Sequence, residues 1–119
     1  MNTVTVADDL LIDNSETWYS QAMPLAPANT VQVVVLAKSI SGSVTSGFAI
    51  STEVSDDLIT WSLGNISGIT ITSAPDRQSD IQTASTASYA TRYIRVKVVN
   101  NDGATKGLLR IDVTTSSFQ

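Results

Sequence analysis

Histidine and cysteine are both missing from this 119-residue sequence. Without histidine, the chain lacks the commonest general base, the usual partner of a nucleophilic serine and the commonest metal ligand. Without cysteine, disulfides and thiol chemistry are excluded, and zinc, iron and copper have no good ligand set. The sequence therefore predicts a protein that is not an enzyme and that holds no metal or other cofactor.

Charged residues are also scarce, at 15% of the chain, against roughly 25% in ordinary soluble domains. Serine, threonine, asparagine and glutamine take their place. A surface of neutral hydrogen-bonding groups costs less to desolvate than a charged one, so this surface favours a role in which a partner covers it. The net charge of −4 argues against nucleic acid as that partner, because phosphate binding needs a basic face.

Targeting and membrane signals are weak throughout. Residues 1–6 contain no basic cluster followed by an apolar stretch, so no signal peptide is expected. The longest nearly apolar run, residues 31–37, is far too short to span a bilayer. The sequence predicts synthesis in the cytoplasm and no membrane partner.

Apolar and polar residues alternate with a period of two along most of the chain, which is typical of half-buried β-strands. In the clearest case, Ile94, Val96 and Val98 share one strand face. An Asp-Gly pair at 102–103 predicts a tight hairpin turn. Strands are predicted over residues 2–12, 18–20, 30–39, 45–55, 58–63, 66–73, 81–88, 90–100 and 105–115, with a loop over 74–80.

Regularly spaced short strands joined by short loops predict an all-β fold, an antiparallel β-sandwich of jelly-roll-like form with about eight strands. The length fits one domain over residues 1–119. Two alternatives remain for the ends. In the first, the ends are packed or frayed. In the second, residues 1–12 and 114–119 are extended arms that dock on a neighbouring subunit, and the C-terminal arm does so through Phe118.

Two segments form a recognisable pair. A strand over residues 48–54 ends in a Ser-x-Asp turn at 55–57, and Trp61 follows it. About thirty residues later, residues 89–98 form a second strand. We expect the turn to reverse the chain and Trp61 to fold back over the hairpin, which would contribute about 2–3 kcal/mol by burial. The expected structural core of this motif is Asp56, Trp61, Tyr93 and Ile94.

This pair of segments resembles the small β-sandwich virion proteins of tailed bacteriophages, in which capsid decoration and tail accessory proteins carry the same strand–turn–Trp unit. It is less closely similar to discoidin-like (F5/8 type C) modules, with their S-x-D-G-x-x-W turn and A-R-Y-I-R strand. Asp57 stands where the discoidin-like pattern has glycine.

The bacteriophage resemblance implies a structural virion protein, above all a capsid decoration or cement protein made in the host cytoplasm. Such a protein would form a homotrimer and bind the major capsid protein or another virion protein. The discoidin-like resemblance implies the alternative, a carbohydrate-binding module. Trp18 and Tyr19 precede two prolines, which favour an exposed connection. The candidates for ligand or partner contact are therefore Trp18, Tyr19 and Phe118.

Overall fold

In a computed structural model the chain is an antiparallel β-sandwich, as the alternation predicts. The structure describes residues 2–25, 28, 30–41, 47–64, 66–72, 74–83, 92–103 and 105–116. These residues form ten strands rather than about eight. Two of the ten are only two residues long. The strands are β1 (Asn2–Ile12), β2 (Thr17–Tyr19), β3 (Met23–Pro24), β4 (Thr30–Ser41), β5 (Phe48–Ser55), β6 (Ser62–Leu63), β7 (Ile69–Ile71), β8 (Asp76–Thr83), β9 (Tyr93–Asn100) and β10 (Lys106–Ser116).

The strands form two sheets whose facing sides make the core. Sheet A has the order β1-β10-β4-β8, and sheet B has the order β2-β9-β5-β6, with β3 also paired to β9 and β7 to β5. The alternation places every second side chain between the sheets. The predicted inward faces are confirmed: the fully or nearly fully buried residues include Val31, Val33, Val35, Phe48, Ile50, Ile94, Val96, Val98, Leu109, Ile111 and Val113.

The outermost strands define two lateral edges of the sandwich. On one side, β1 of sheet A lies beside β3 of sheet B, which pairs with β9 as β2 does. On the other side, β8 lies beside β7, which pairs with β5 as β6 does. We call them the β1 edge and the β8 edge.

The connection from β9 to β10 is not the hairpin that the Asp-Gly pair predicts. It crosses from sheet B to sheet A. The Asn100 side chain holds this crossing: its amide donates to the carbonyls of Asp13 and Thr105, at 2.9 Å each, and its oxygen accepts from the N–H of Asp102 at 3.0 Å. One buried amide thus satisfies three backbone groups at the crossing.

Two other segments differ from the prediction. Residues 74–80 were expected to be a loop, but β8 begins at residue 76 and pairs with β4 through most of that span. Residues 77, 78 and 79 are all exposed, so this segment lacks the apolar alternation by which a strand is predicted. Residues 58–63 were expected to be a strand, but most of them form a turn, with only Ser62–Leu63 paired.

The N-terminal segment is an edge strand rather than an extended arm. Residues 2–12 pair antiparallel with β10 from Asn2↔Thr115 to Ile12↔Gly107. At the other end, residues 114–116 also belong to β10. Residues 117–119, and with them Phe118, lie outside the described residues. The described part of the chain has no helix long and apolar enough to cross a membrane.

Candidate functional site

The turn after β5 is built by two polar side chains. The Ser55 hydroxyl accepts the N–H groups of Asp57 and Leu58 and donates to the Asp57 carboxylate at 3.0 Å. The Asp57 carboxylate also accepts the N–H groups of Ile59 and Thr60, both at 2.8 Å. The Thr60 and Ile59 N–H groups, followed by the Ser55 hydroxyl, lower the pKa of Asp57.

This network places Leu58 in the left-handed region, at φ 64°, which is uncommon for a residue with a branched side chain. The turn aspartate is therefore Asp57 and not the predicted Asp56, because it is the Asp57 carboxylate that accepts the N–H groups of the turn. The physical reason is reach, because a carboxylate two residues after Ser55 faces the N–H groups that follow it.

The turn presents large apolar side chains to solvent. Ile59 is 83% exposed, Leu63 is 80% exposed and Leu58 is about half exposed. We call these three residues the β5–β6 knob. Its far side is anchored at Gly64, whose N–H donates to the Thr52 carbonyl at 2.8 Å. A side chain at Gly64 would meet the Thr52 hydroxyl at 2.4 Å, so the knob is held at both of its ends.

An open cleft lies at the opposite lateral edge, between β1 and β3. Its volume is about 270 Å³, below the roughly 300–1,000 Å³ of most small-molecule sites. None of the described residues that line it is charged, and Met23 among them is buried. We call it the β1–β3 cleft. Its lining residues are Val4, Thr5, Val6, Gln21, Ala22, Met23 and Pro24.

The outer face of sheet B carries an aromatic stack centred on Arg95. The guanidinium carbon lies 4.2 Å from the centre of the Tyr19 ring and 4.1 Å from the centre of the Trp61 ring. Glu53 accepts from Nε of Arg95 at 2.8 Å and from Nη2 at 2.7 Å. Lys97 lies 5.8 Å from the Tyr19 ring. Rings and carboxylate together leave the Arg95 side chain only 22% exposed.

Trp61 is therefore not in the core, where the sequence places it. It is half-buried on the outer face of sheet B, against Arg95. The turn ends before β6 and leaves Trp61 outside the strand ladder, so the ring covers a cation rather than the hairpin interior. Of the other motif residues, Ile94 is in the core as expected, and Tyr93 is half-buried.

Two of the three aromatic residues predicted as contacts, Trp18 and Tyr19, lie on opposite faces of β2. Trp18 packs against the core and is half-buried, whereas Tyr19 faces outward and is 44% exposed. Only Tyr19 joins the aromatic stack. Its role as a contact residue, like that of Phe118, stays a prediction.

Acidic residues of the described segments are engaged with neighbours rather than gathered into a site. Lys38 donates to Asp8 at 2.8 Å and to Asp9 at 2.6 Å, where a cation would otherwise sit. The hydrogen bond from Lys38 lowers the pKa of Asp8, and the hydrogen bonds from Asp8 and Asp9 raise the pKa of Lys38. Within the described ranges, no three acidic side chains come together as a metal site would require.

Sequence reasoning missed the knob and the cleft for different reasons. Leu58 and Ile59 were visible as apolar residues beside a turn, and the Ser-x-Asp pattern could have shown that they belong to it. The cleft unites residues 4–6 with residues 21–24, from strands in different sheets. Nothing local in the sequence indicates that these two segments meet.

Neither a protein-family model nor a curated protein sequence matches this chain. Among solved structures, it is similar to infectious bursal disease virus Gt strain, at 9% identity and TM-score 0.58 over 97% of this chain. It is also similar to the infectious bursal disease virus VP2 subviral particle, at 12% identity and TM-score 0.57 over 98%. The carbohydrate-binding module TmCBM61, in complex with β-1,4-galactotriose, aligns at 14% identity and TM-score 0.49, over 89% of this chain and 69% of its own.

The two viral likenesses concern the fold. The chain spans 31% and 32% of the length of the viral chains that it matches. It is an all-β sandwich of the type found in these viral coat structures, and its structural neighbours comprise viral capsid proteins and carbohydrate-binding modules.

Proposed function

We propose that this chain is a structural protein of a virus particle that assembles side by side through the two lateral edges of its sandwich. It acts by binding and not by catalysis. Its partners are copies of itself and a coat protein.

One observation carries the proposal: each lateral edge combines an outermost strand with exposed large apolar side chains. The β8 edge carries the knob and Ile81, and the β1 edge carries Val4 and Leu11. An outermost strand presents backbone N–H and C=O groups that can pair with another chain. Exposed apolar groups at the same place favour covering by a partner.

The β1 edge is blocked over one part and open over another. The pairing of β1 with β10 shifts register between Thr5 and Leu10, and Asp8 and Asp9 lie in this bulged stretch with Lys38 across them. Bulges and charges are the usual protection against strand addition. Residues 2–5 pair regularly with β10, so this end of β1 is the one available to a neighbouring subunit.

In its finer form, the proposal is a capsid decoration or cement protein of a tailed bacteriophage. The chain would be made in the host cytoplasm and would form a homotrimer that binds the major capsid protein. The strand–turn–Trp segments at 48–62 and 89–98 support this form. The likeness in fold to a VP2 subviral particle supports the coarser role in a viral coat.

Sedimentation velocity from micromolar to millimolar concentration tests the self-assembly. We expect a single closed oligomer with the mass of a trimer. Peptide mass spectrometry of purified particles should then find the chain in a fixed ratio to the coat protein. A monomer at every concentration, or particles without the chain, would contradict the proposal.

The aromatic stack favours a second candidate function, carbohydrate binding. Tyr19 offers an exposed ring, and sugars pack against aromatic faces beside polar groups such as those of Lys97 and Glu53. Titration with a panel of neutral oligosaccharides tests this function. Binding that is lost in Tyr19→Ala, in a chain that stays monomeric, would place carbohydrate binding ahead of assembly.

A further inference from the structure

We propose that the β5–β6 knob of one copy docks in the β1–β3 cleft of the next copy. This inference rests on the proposed function and names the contact by which assembly occurs. It is a heterologous contact, since each subunit contributes a different surface to it.

The knob is shaped before it binds. The Ser55–Asp57 network fixes its first part, and the Gly64 contact with Thr52 fixes its end. Both anchoring residues Ser55 and Thr52 are buried. A turn whose backbone is already ordered loses less conformational entropy on docking. The Ile59 side chain, 83% exposed, is therefore presented from a fixed backbone position.

The cleft suits an aliphatic side chain. At about 270 Å³ it is too small for most ligands but ample for one or two large side chains. Val4, Val6 and Met23 provide apolar walls, and the seven lining residues that the structure describes are all uncharged. Filling it with Ile59 would remove apolar surface from water on both subunits.

The knob and the cleft lie at the two ends of one row of register partners that runs across the strands of sheet B. Along this row Met23 pairs with Ile94, Ile94 with Val54, and Val54 with Ser62. Met23 lines the cleft, and Ser62 follows the turn that carries Ile59. The row crosses three strand gaps of about 4.8 Å each. A sideways displacement along it brings the knob of one copy level with the cleft of its neighbour.

Because knob and cleft are on opposite edges, one bound neighbour leaves the other edge free. The contact can therefore repeat, and it closes into a ring when each copy is also rotated relative to the one before. Three copies related by rotation would satisfy every knob and every cleft, which matches the trimer expected of a decoration protein.

Two variants test the contact, Ile59→Asp in the knob and Val4→Glu in the cleft. Each alone should weaken association at least about tenfold, equivalent to about 1.4 kcal/mol. In an equimolar mixture, the Val4→Glu copy keeps an intact knob and the Ile59→Asp copy keeps an intact cleft. The mixture should therefore form a 1:1 heterodimer that binds no further copies. Size-exclusion chromatography with light scattering measures the mass of each variant alone and of the mixture.

Ser39→Asp and Asn101→Asp are matched controls, because both residues are exposed but lie on β4 and in the β9–β10 crossing, away from the outermost strands of either edge. They should leave the oligomer intact. A wild-type monomer would overturn the proposed function itself. An oligomer that resists Ile59→Asp and Val4→Glu but dissociates with Ile81→Asp would overturn only the knob-and-cleft contact.

A photocrosslinker at position 59 keeps the inference testable if a variant misfolds. It should link to residues 4–6 or 21–24 of another copy, read by peptide mass spectrometry. Links from one position 59 to another would overturn the heterologous contact.

Discussion

At the scale of single residues, polar side chains organise the surface more than composition suggests. Arg95 is held by two rings and a carboxylate, and Asp57 is held by two backbone N–H groups and a hydroxyl. Both are charged residues in a chain with few of them. Each shapes one surface, the aromatic stack or the knob.

Replacing Arg95 with alanine should lower the free energy of unfolding by about 2–3 kcal/mol, since the change removes two cation–π contacts and leaves Glu53 half-buried without its partner. Arg92→Ala is the matched control, at an exposed position, and should change stability by less than about 0.5 kcal/mol. Urea unfolding measures both. Equal effects of the two variants would show that the stack contributes nothing to stability.

Asp57 should make the turn sensitive to acid. Its folded pKa is lowered from the ordinary value of 3.8, so the ionised form stabilises the fold above that value. The contribution is lost as the pH falls through the lowered pKa. Asp57→Ala should therefore reduce the Tm at neutral pH, and the deficit should shrink in strong acid. Asp56→Ala, one residue earlier and exposed, should show neither effect in thermal unfolding across this pH range.

At the scale of elements, β10 is the strand on which sheet A depends, because it pairs with β1 on one side and β4 on the other. Its second residue, Gly107, makes room for the ring of Phe48 from sheet B. A side chain there would lie 2.5 Å from the ring tip. Phe48 is fully buried, so the ring has no free space to enter.

Gly107→Ala should therefore destabilise the protein by about 1–3 kcal/mol through overpacking. Combining it with Phe48→Leu should recover part of that loss in a double-mutant cycle. Gly68→Ala is the control, because a side chain at that position meets nothing within 4 Å. The explanation fails if both glycine variants unfold at the same denaturant concentration.

At the scale of the whole molecule, the net negative charge of each copy opposes self-assembly, whereas the exposed apolar side chains at the lateral edges favour it. Each copy carries a net charge of −4, and neighbouring copies repel one another until salt screens them. The three residues of the knob and the described residues of the cleft lining are uncharged. Raising sodium chloride from low to physiological concentration should therefore strengthen self-association, as measured by sedimentation equilibrium. Weaker association in salt would indicate an interface of ion pairs instead.

Much of the strand pattern could be predicted because the period-two alternation is local. The inward faces of β4, β5, β9 and β10 follow directly from it. The first part of β8, residues 76–80, could not be predicted, since its polar residues resemble a loop, whereas residues 81–83 lie within the strand predicted over 81–88. The pairing of β8 with β4, from Thr30↔Thr83 to Ala37↔Asp76, is what makes it a strand.

Composition and periodicity thus determined the all-β sandwich, its buried faces and the lack of histidine and cysteine chemistry. The tertiary structure decided that β9 and β10 lie in different sheets, that Trp61 covers Arg95, and that the knob and the cleft lie at opposite edges. These features depend on which distant segments pair and in what register. Alternation specifies only the face on which each side chain lies, so it carries no information about the neighbouring strand.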